Sequence, residues 1–231
     1  MIIMKKIYFT LIALLTSMNM LAQGWPANYS GVMLQGFSWD SYDYSQWNVL
    51  EKQADDMKGF IDLVWLPQSG KCIETTQVMG YKPYYYFNQN SSFGTEAELR
   101  SLIAKFKANG IGAIADVVVN HRNTDGWYTF PAETYKGVTY QMLSTDICKN
   151  DDGGTTATQA KKDGVSLSNN YDEGTDFGGC RDIDHKSENV QKIIKAYLKF
   201  LKDDIGYTGF RYDMVKGFSG THVADYNDAT G

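Results

Sequence analysis

Apolar positions recur at helical spacing in three stretches, and each stretch closes on a glycine followed by an apolar run. In the first, Trp47, Leu50, Ala54 and Met57 share one face of a helix predicted over 46–58, Gly59 ends it, and residues 60–66 read as a strand. In the second, Thr95 and Glu98 form a capping box, and Leu99, Leu102, Ile103 and Phe106 make the apolar stripe. Gly110 ends that helix, and residues 111–119 follow as a strand. In the third, Val190, Ile193, Ile194, Tyr197, Leu198 and Leu201 line one face of a helix over 188–202, Gly206 ends it, and residues 207–212 form a strand. A glycine just past the last helical turn is the expected terminator, because it accepts the left-handed conformation found there. One earlier strand is predicted over 32–39.

Strands alternating with helices make βα units, and the nearly continuous apolar run Ile114–Val119 suits a parallel sheet buried on both faces. The fold class is therefore α/β, either a barrel or a doubly wound sheet. No GxGxxG or P-loop follows the first strand, which weighs against a nucleotide-binding version. The connection between the third strand and the third helix is far longer than a plain loop and is rich in Gly, Asp, Asn, Thr and Tyr. Such a connection is a small inserted domain or a functional lid, and it leaves the strand end where barrels build active sites.

Composition changes this picture little. The chain has 231 residues, 43% hydrophobic and 21% charged, enough for one sizeable domain. A net charge of −5 without a basic stripe argues against nucleic acid as a partner. Sixteen Tyr, 11 Phe and 5 Trp suit a sugar-binding cleft, and suit an ordinary core equally well. The N-terminus reads as an export signal over residues 1–22: Lys5 and Lys6, an apolar run from Ile7 to Leu15, and a cut after Ala22. That run is too short to cross a membrane, so the mature protein is expected to be soluble and secreted or periplasmic. Three cysteines (Cys72, Cys148, Cys180) leave at least one unpaired, allow one disulfide, and lack zinc-site spacing.

Candidate chemistry gathers at two strand ends. Gly209–Gly217 carries Arg211 and Asp213 on one strand face, and a neighbouring Arg favours the ionised carboxylate that a covalent glycosyl-transfer mechanism needs. A structural ion pair would look the same taken alone. Asp116–His121 places Asn120 and His121 at the same end of a neighbouring strand, so the two clusters face one cleft. In the inserted segment, Tyr171–Gly178 and Arg181–His185 concentrate Asp around glycine turns, a composition that suits Ca²⁺ or simply makes turns.

With these residues in hand, the chain resembles the α-amylase family of glycoside hydrolases, specifically its plant- and archaeal-type branch. Asp116–His121 matches the family's strand-three motif and Gly209–Gly217 its strand-four motif, with Gly217 as in the plant-like group. Asp182–His185 matches a motif of the inserted domain, and Gly80–Pro83 and Phe93–Leu99 match the stretch after strand two. The resemblance implies the N-terminal half of a TIM (β/α)8 barrel with a small domain inserted after strand three. Its parts would be a signal peptide over 1–22, the first part of the barrel over 23–120, a calcium-binding insert over 121–187, and the barrel's continuation over 188–231. It implies a secreted, calcium-dependent enzyme that cuts internal α-1,4 bonds of starch-like glucans or maltooligosaccharides with retention. By the same resemblance Asp213 is the nucleophile and Arg211 its partner, His121 bonds the sugar at the cleavage point, Tyr81 stacks on that sugar, and Lys216 meets the next one. Calcium would take the side chains of Asn120, Asp172 and Asp182 and the carbonyls of Thr175 and Gly217, with Asp151 and Asp176 as a second set. His185 is read as a helix-entry residue.

The chain also departs from the family. The family's general acid is a Glu after strand five, and Glu173 and Glu188 stand outside that motif. A barrel closes with eight strands, and four leave two sheet edges. The expectation is therefore an N-terminal portion of a longer enzyme, inactive by itself; the alternative is a non-catalytic glycan-binding fragment or pseudoenzyme. Transglycosylation or α-1,6 cleavage is a third reading, against which Gly217 argues. Tyr84–Phe87 stands where relatives often carry an acidic residue.

Overall fold

A computed structural model describes residues 28–231, and the predicted export segment lies outside them. Residues 32–230 form one compact unit. Its strands are β1 (Met33–Gln35), β2 (Leu63–Leu66), β3 (Gly112–Val117), β4 (His121–Arg122), β5 (Glu133–Tyr135), β6 (Val138–Tyr140), β7 (Arg181–Asp182) and β8 (Gly209–Tyr212). Its α-helices are α1 (Trp47–Met57), α2 (Glu96–Ala108), α3 (Thr155–Asp163), α4 (Glu188–Lys199) and α5 (Gly220–Thr230).

β1, β2, β3 and β8 make one sheet in that order, every pair parallel. The order never reverses, so the sheet has no topological switch point and winds as a barrel does, not as a doubly wound sheet. The inner strands are buried as their apolar runs predict: Val64, Leu66, Ala115 and Val117 are all inaccessible or nearly so. Each such Val or Leu contributes about 1.5–3 kcal/mol. β1 is much shorter than the predicted 32–39. It pairs on one side only, and Met33 and Leu34 stay 53% and 37% exposed.

The helices follow their stripes. Trp47, Leu50 and Ala54 bury one face of α1; Leu99, Leu102, Ile103 and Phe106 do so in α2. The capping box at α2 is formed: Thr95 N–H donates to Glu98 Oε2 at 2.7 Å, and Glu98 N–H donates to Thr95 Oγ1 at 3.3 Å. α4 is shorter than predicted because it widens into a π-helical turn, Phe200–Ile205, which keeps Phe200, Leu201 and Ile205 all buried. Gly206 then turns the chain at φ 103°, a conformation closed to most side chains.

The insert is ordered and docked. β4 pairs with β7, joining His121 to Asp182 across the base of the insert, and β5 and β6 form a hairpin. A buried ion pair ties it to the β2–α2 loop: Arg122 meets Glu133 at 2.7 Å, with both side chains almost inaccessible. Arg122 also donates twice to the Tyr84 carbonyl, at 3.0 and 2.7 Å, and its guanidinium lies 4.2 Å over the Tyr86 ring. Glu133 accepts the Tyr86 and Phe87 N–H groups at 2.9 and 2.8 Å. The disulfide that the sequence allows is not formed; all three cysteines are free and buried. Burial pushes the Cys72 and Cys180 thiols up to about 12, far from the reactive thiolate.

Candidate active site

Parallel pairing of β3 with β8 sets Asp116 directly opposite Arg211. Arg211 Nη1 donates to Asp116 Oδ1 and Oδ2 at 3.0 and 3.2 Å and to Asp213 Oδ1 at 2.6 Å. One guanidinium thus bridges two carboxylates, and Asp213 Oδ2 makes no hydrogen bond among the described residues. Trp65, on β2, floors the bridge. The Arg211 guanidinium sits 4.7 Å from its ring centroid, and its Nε1 donates to Asp116 Oδ2 at 3.2 Å. Burial pushes the Asp116 carboxyl up to about 6; Arg211 opposes the rise, and the charge of Asp213 adds to it. Burial acts to lower Arg211, but the two carboxylates outweigh it, so the cation is held more firmly than usual. Directly after Asp213, Met214 takes a left-handed turn (φ 49°), and Gly217 N–H closes it on the Met214 carbonyl at 2.9 Å.

Tyr81 stands beside this bridge, its hydroxyl 3.4 Å from Asp116 Oδ2. Burial, and then the Asp116 charge, hold its phenol protonated. Its ring runs parallel to that of Trp39, 6.1 Å away, and Trp39 is 70% exposed. The two rings make an open aromatic wall next to the carboxylates. His121 stands behind Tyr81: its Nε2 is 2.8 Å from the Tyr81 carbonyl, and its ring stacks on Phe177 at 3.9 Å. Burial lowers its pKa, so a neutral ring donating to that carbonyl positions Tyr81. Lys216 is exposed, and its carbonyl accepts the Thr175 N–H at 3.0 Å.

The residues assigned to a metal converge next to this site. Asn120 Nδ2 donates to Asp182 Oδ1 at 3.0 Å. A Cβ on Gly217 would lie 2.0 Å from Asn120 Oδ1, so only glycine fits that approach. Asp172 Oδ2 is buried without a partner among the described residues. Burial first, and then neighbouring Asp176 and Asp172, push the Asp182 carboxyl up to about 9 against the opposing Phe177 N–H. Asp151, Asp176 and Asp182 bring carboxylate oxygens within 4.8 Å of one another. Asp151 is already matched by Arg181 at 2.6 Å, whereas Asp172 and Asp182 have too little positive charge around them. An orphaned buried oxygen and a crowded carboxylate fit an oxygen-liganded divalent cation.

Other carboxylates are engaged elsewhere. Glu173 pairs with His222 Nε2 at 2.9 Å and lies 3.7 Å from Lys186 Nζ, and Glu188 opens α4. His185 is buried just before α4. Its Nδ1 is 2.7 Å from the Tyr226 hydroxyl, its ring stacks on Phe218 at 4.2 Å, and its pKa falls to about 3, chiefly through burial. That is packing at a helix entry. Sequence reasoning missed Asp116, Trp65 and Trp39 as members of the site. Asp116 carries a signal, since it is the one charge inside the apolar run Ile114–Val119.

A family model, "Alpha amylase, catalytic domain", matches residues 61–230. "Alpha-amylase 3, chloroplastic" of Arabidopsis thaliana is 32% identical over 207 residues, 86% of this chain and 21% of the relative. "Probable alpha-amylase 2" of the same plant is 29% identical over 197 residues, 84% of this chain and 44% of the relative. Among solved structures, wild-type alpha-amylase I from Eisenia fetida superposes with a TM-score of 0.60 at 17% identity, covering 87% of this chain and 41% of that one. Its E249Q mutant, solved with maltohexaose, gives 0.61 at 16% identity over the same shares. These superpositions show the shared fold, a partial α/β barrel. The chain spans less than half the length of each of these relatives.

Proposed function

Because the chain belongs to the alpha-amylase family of glycoside hydrolases, we propose that it carries the nucleophile side of a retaining α-1,4-glucan hydrolase that cuts within starch-like chains. One observation carries this reading: Asp213 is 18% exposed, gripped through Oδ1 at 2.6 Å by Arg211, and keeps Oδ2 free of protein hydrogen bonds among the described residues. A carboxylate fixed by one oxygen presents the other for attack on an anomeric carbon. In the first step the Asp213 Oδ2–C1 bond forms, the bond from C1 to the leaving oxygen breaks, and a general acid protonates that oxygen. Water then hydrolyses the ester and retention results. Glu133 and Glu173 are tied in ion pairs and Glu188 is an exposed residue in the first turn of α4, so the acid is not assigned to them. Trp39 and Tyr81 offer apolar faces to the sugar beside the nucleophile, and His121 holds Tyr81 in place.

The same reading takes in calcium. Asn120, Asp172 and Asp182 would hold it with the Thr175 and Gly217 carbonyls, and it would supply the positive charge that clamps the insert to the β8 turn. Export is supported by the charge and apolar pattern of residues 1–22, and N-terminal sequencing of the mature protein tests it. Among the described residues no helix is long and apolar enough to cross a membrane.

An activated 5-fluoro-glucosyl fluoride tests the nucleophile by itself, since fluoride leaves without a proton donor. Intact-mass and peptide mapping should find one glycosyl group on Asp213, and none after Asp213→Asn. Labelling of another carboxylate, or of none, sinks the assignment.

A further inference from the structure

The four aromatics Tyr84–Phe87 divide by direction. Tyr86 is fully buried, stacked on Tyr197 at 4.4 Å, and Phe87 packs against Tyr135 at 5.0 Å. Tyr84 and Tyr85 turn the other way, into a groove of about 240 Å³ between the β2–α2 loop and the start of the insert. Their rings meet edge to face, 4.7 Å apart at 86°, so one forms a floor and the other a wall. Lys71 Nζ hangs 5.7 Å over the Tyr85 ring, and Asp125, Thr75, Cys72 and Ile73 complete the lining. Neither tyrosine hydroxyl has a hydrogen-bond partner among the described residues. A second hollow of about 550 Å³ shares Lys71 and Thr75 with the groove and is lined mainly by hydroxyl, amide and carboxylate side chains.

The backbone carrying these rings is pinned along its length. His121 holds the Tyr81 carbonyl at 2.8 Å, Asn123 N–H donates to the Pro83 carbonyl at 2.8 Å, and Arg122 holds that of Tyr84. Lys71 accepts the Tyr84 and Tyr85 N–H groups at 3.3 and 2.9 Å. Tyr84 is three residues beyond Tyr81, at most about 10 Å along an extended chain. One rigid segment therefore presents Tyr81 to the carboxylates and Tyr84 with Tyr85 to the groove.

We propose that Tyr84, Tyr85, Lys71 and Asp125 form a distal binding site for an α-glucan whose scissile end lies at Tyr81 and Asp213; this rests on the glucan-hydrolase reading above. Glucose rings carry apolar faces that stack on phenol rings and hydroxyls that pair with an ammonium, a carboxylate and free phenols. A groove mixing these groups suits a polyhydroxylated ring better than an apolar side chain. The site adds affinity only for chains long enough to span both places.

The test pairs binding with catalysis. In an Asp213→Asn background, replacing Tyr84 and Tyr85 together by Ala should weaken maltoheptaose binding about tenfold in calorimetry and leave maltotriose binding unchanged. Tyr→Phe at both positions should keep most of the affinity, and Lys71→Met should lose part of it. Where the wild type hydrolyses, the double Ala variant should raise KM for maltoheptaose alone. Equal weakening of both oligosaccharides, or of neither, overturns the proposal, the first because it reports damage to Tyr81. Failure of the activated glycosyl fluoride to label Asp213, with length-dependent binding retained, would fault the catalytic reading and leave the distal site standing.

Discussion

Asp182→Asn should change stability in opposite directions with and without calcium. The carboxylate oxygens of Asp151, Asp176 and Asp182 lie within 4.8 Å of one another, and Arg181 matches Asp151 at 2.6 Å. Without a cation, wild type must either hold Asp176 and Asp182 as a like-charged pair or take up a proton at Asp182, whose carboxyl is raised to about 9, and asparagine is spared both. At that separation two charges repel by about 3 kcal/mol at an effective dielectric of about 20. Asparagine keeps the shape and can still accept from Asn120, but it weakens the bond that the Phe177 N–H makes to Asp182 Oδ2 at 2.7 Å. That loss is worth about 1 kcal/mol, so the variant should gain about 2 kcal/mol in chelator, or about 4–8 °C in Tm for a unit of this size. In millimolar calcium the variant lacks a charged ligand; a hundredfold weaker site costs about 2.7 kcal/mol of linkage, more than the gain seen in chelator, and Tm should fall below wild type. Thermal unfolding by circular dichroism, in EDTA and in calcium, reads both. A variant shifted the same way in both buffers would refute the view that this cluster is built around a cation.

Two further outcomes follow from buried charge. Arg122→Met leaves Glu133 buried without its cation, and should cost about 3–5 kcal/mol in chemical denaturation, with Glu133→Gln in the same chain recovering part of it; a loss below about 1 kcal/mol would mean the pair is not desolvated. Asp116 is raised to about 6, so the folded state binds its proton more tightly than the unfolded state, whose aspartate titrates near 4. Its contribution is complete below about pH 4 and is lost as pH rises through 6, which makes wild type lose about 3 kcal/mol against Asp116→Asn over that range. Parallel stability curves for the two proteins from pH 4 to 7 would contradict this.

Local chemistry was legible in the sequence where one segment decides the outcome. The Thr95–Glu98 box and the stripes of α1, α2 and α4 each depend on residues within a few turns. Two helices were less legible, α3 in the insert and α5 after β8: α3 buries only Thr156 and Ala160, and α5 only His222 and Tyr226, so neither shows an apolar stripe. β1 was overcalled because its apolar residues lie at a sheet edge, where an apolar run does not imply burial. The site was half legible. Arg211 and Asp213 are neighbours in sequence, but the second carboxylate on that guanidinium belongs to another strand, and parallel register is fixed by packing across the sheet. Charge neutralisation in the insert was hidden for the same reason, since Arg181 selects Asp151 and not its own neighbour Asp182.

The Arg211 bridge also sets a timetable. Asp116 and its cation are 95 residues apart in the chain, with the whole insert between them. At synthesis rates of about 5–20 residues per second, Asp116 emerges roughly 5–20 s before Arg211. Through that interval the top of β3 holds a carboxylate with no cation to meet it, so hydration opposes its burial. The nascent sheet stays open at the end where chemistry is proposed, and it closes there only when the insert is complete and β8 arrives.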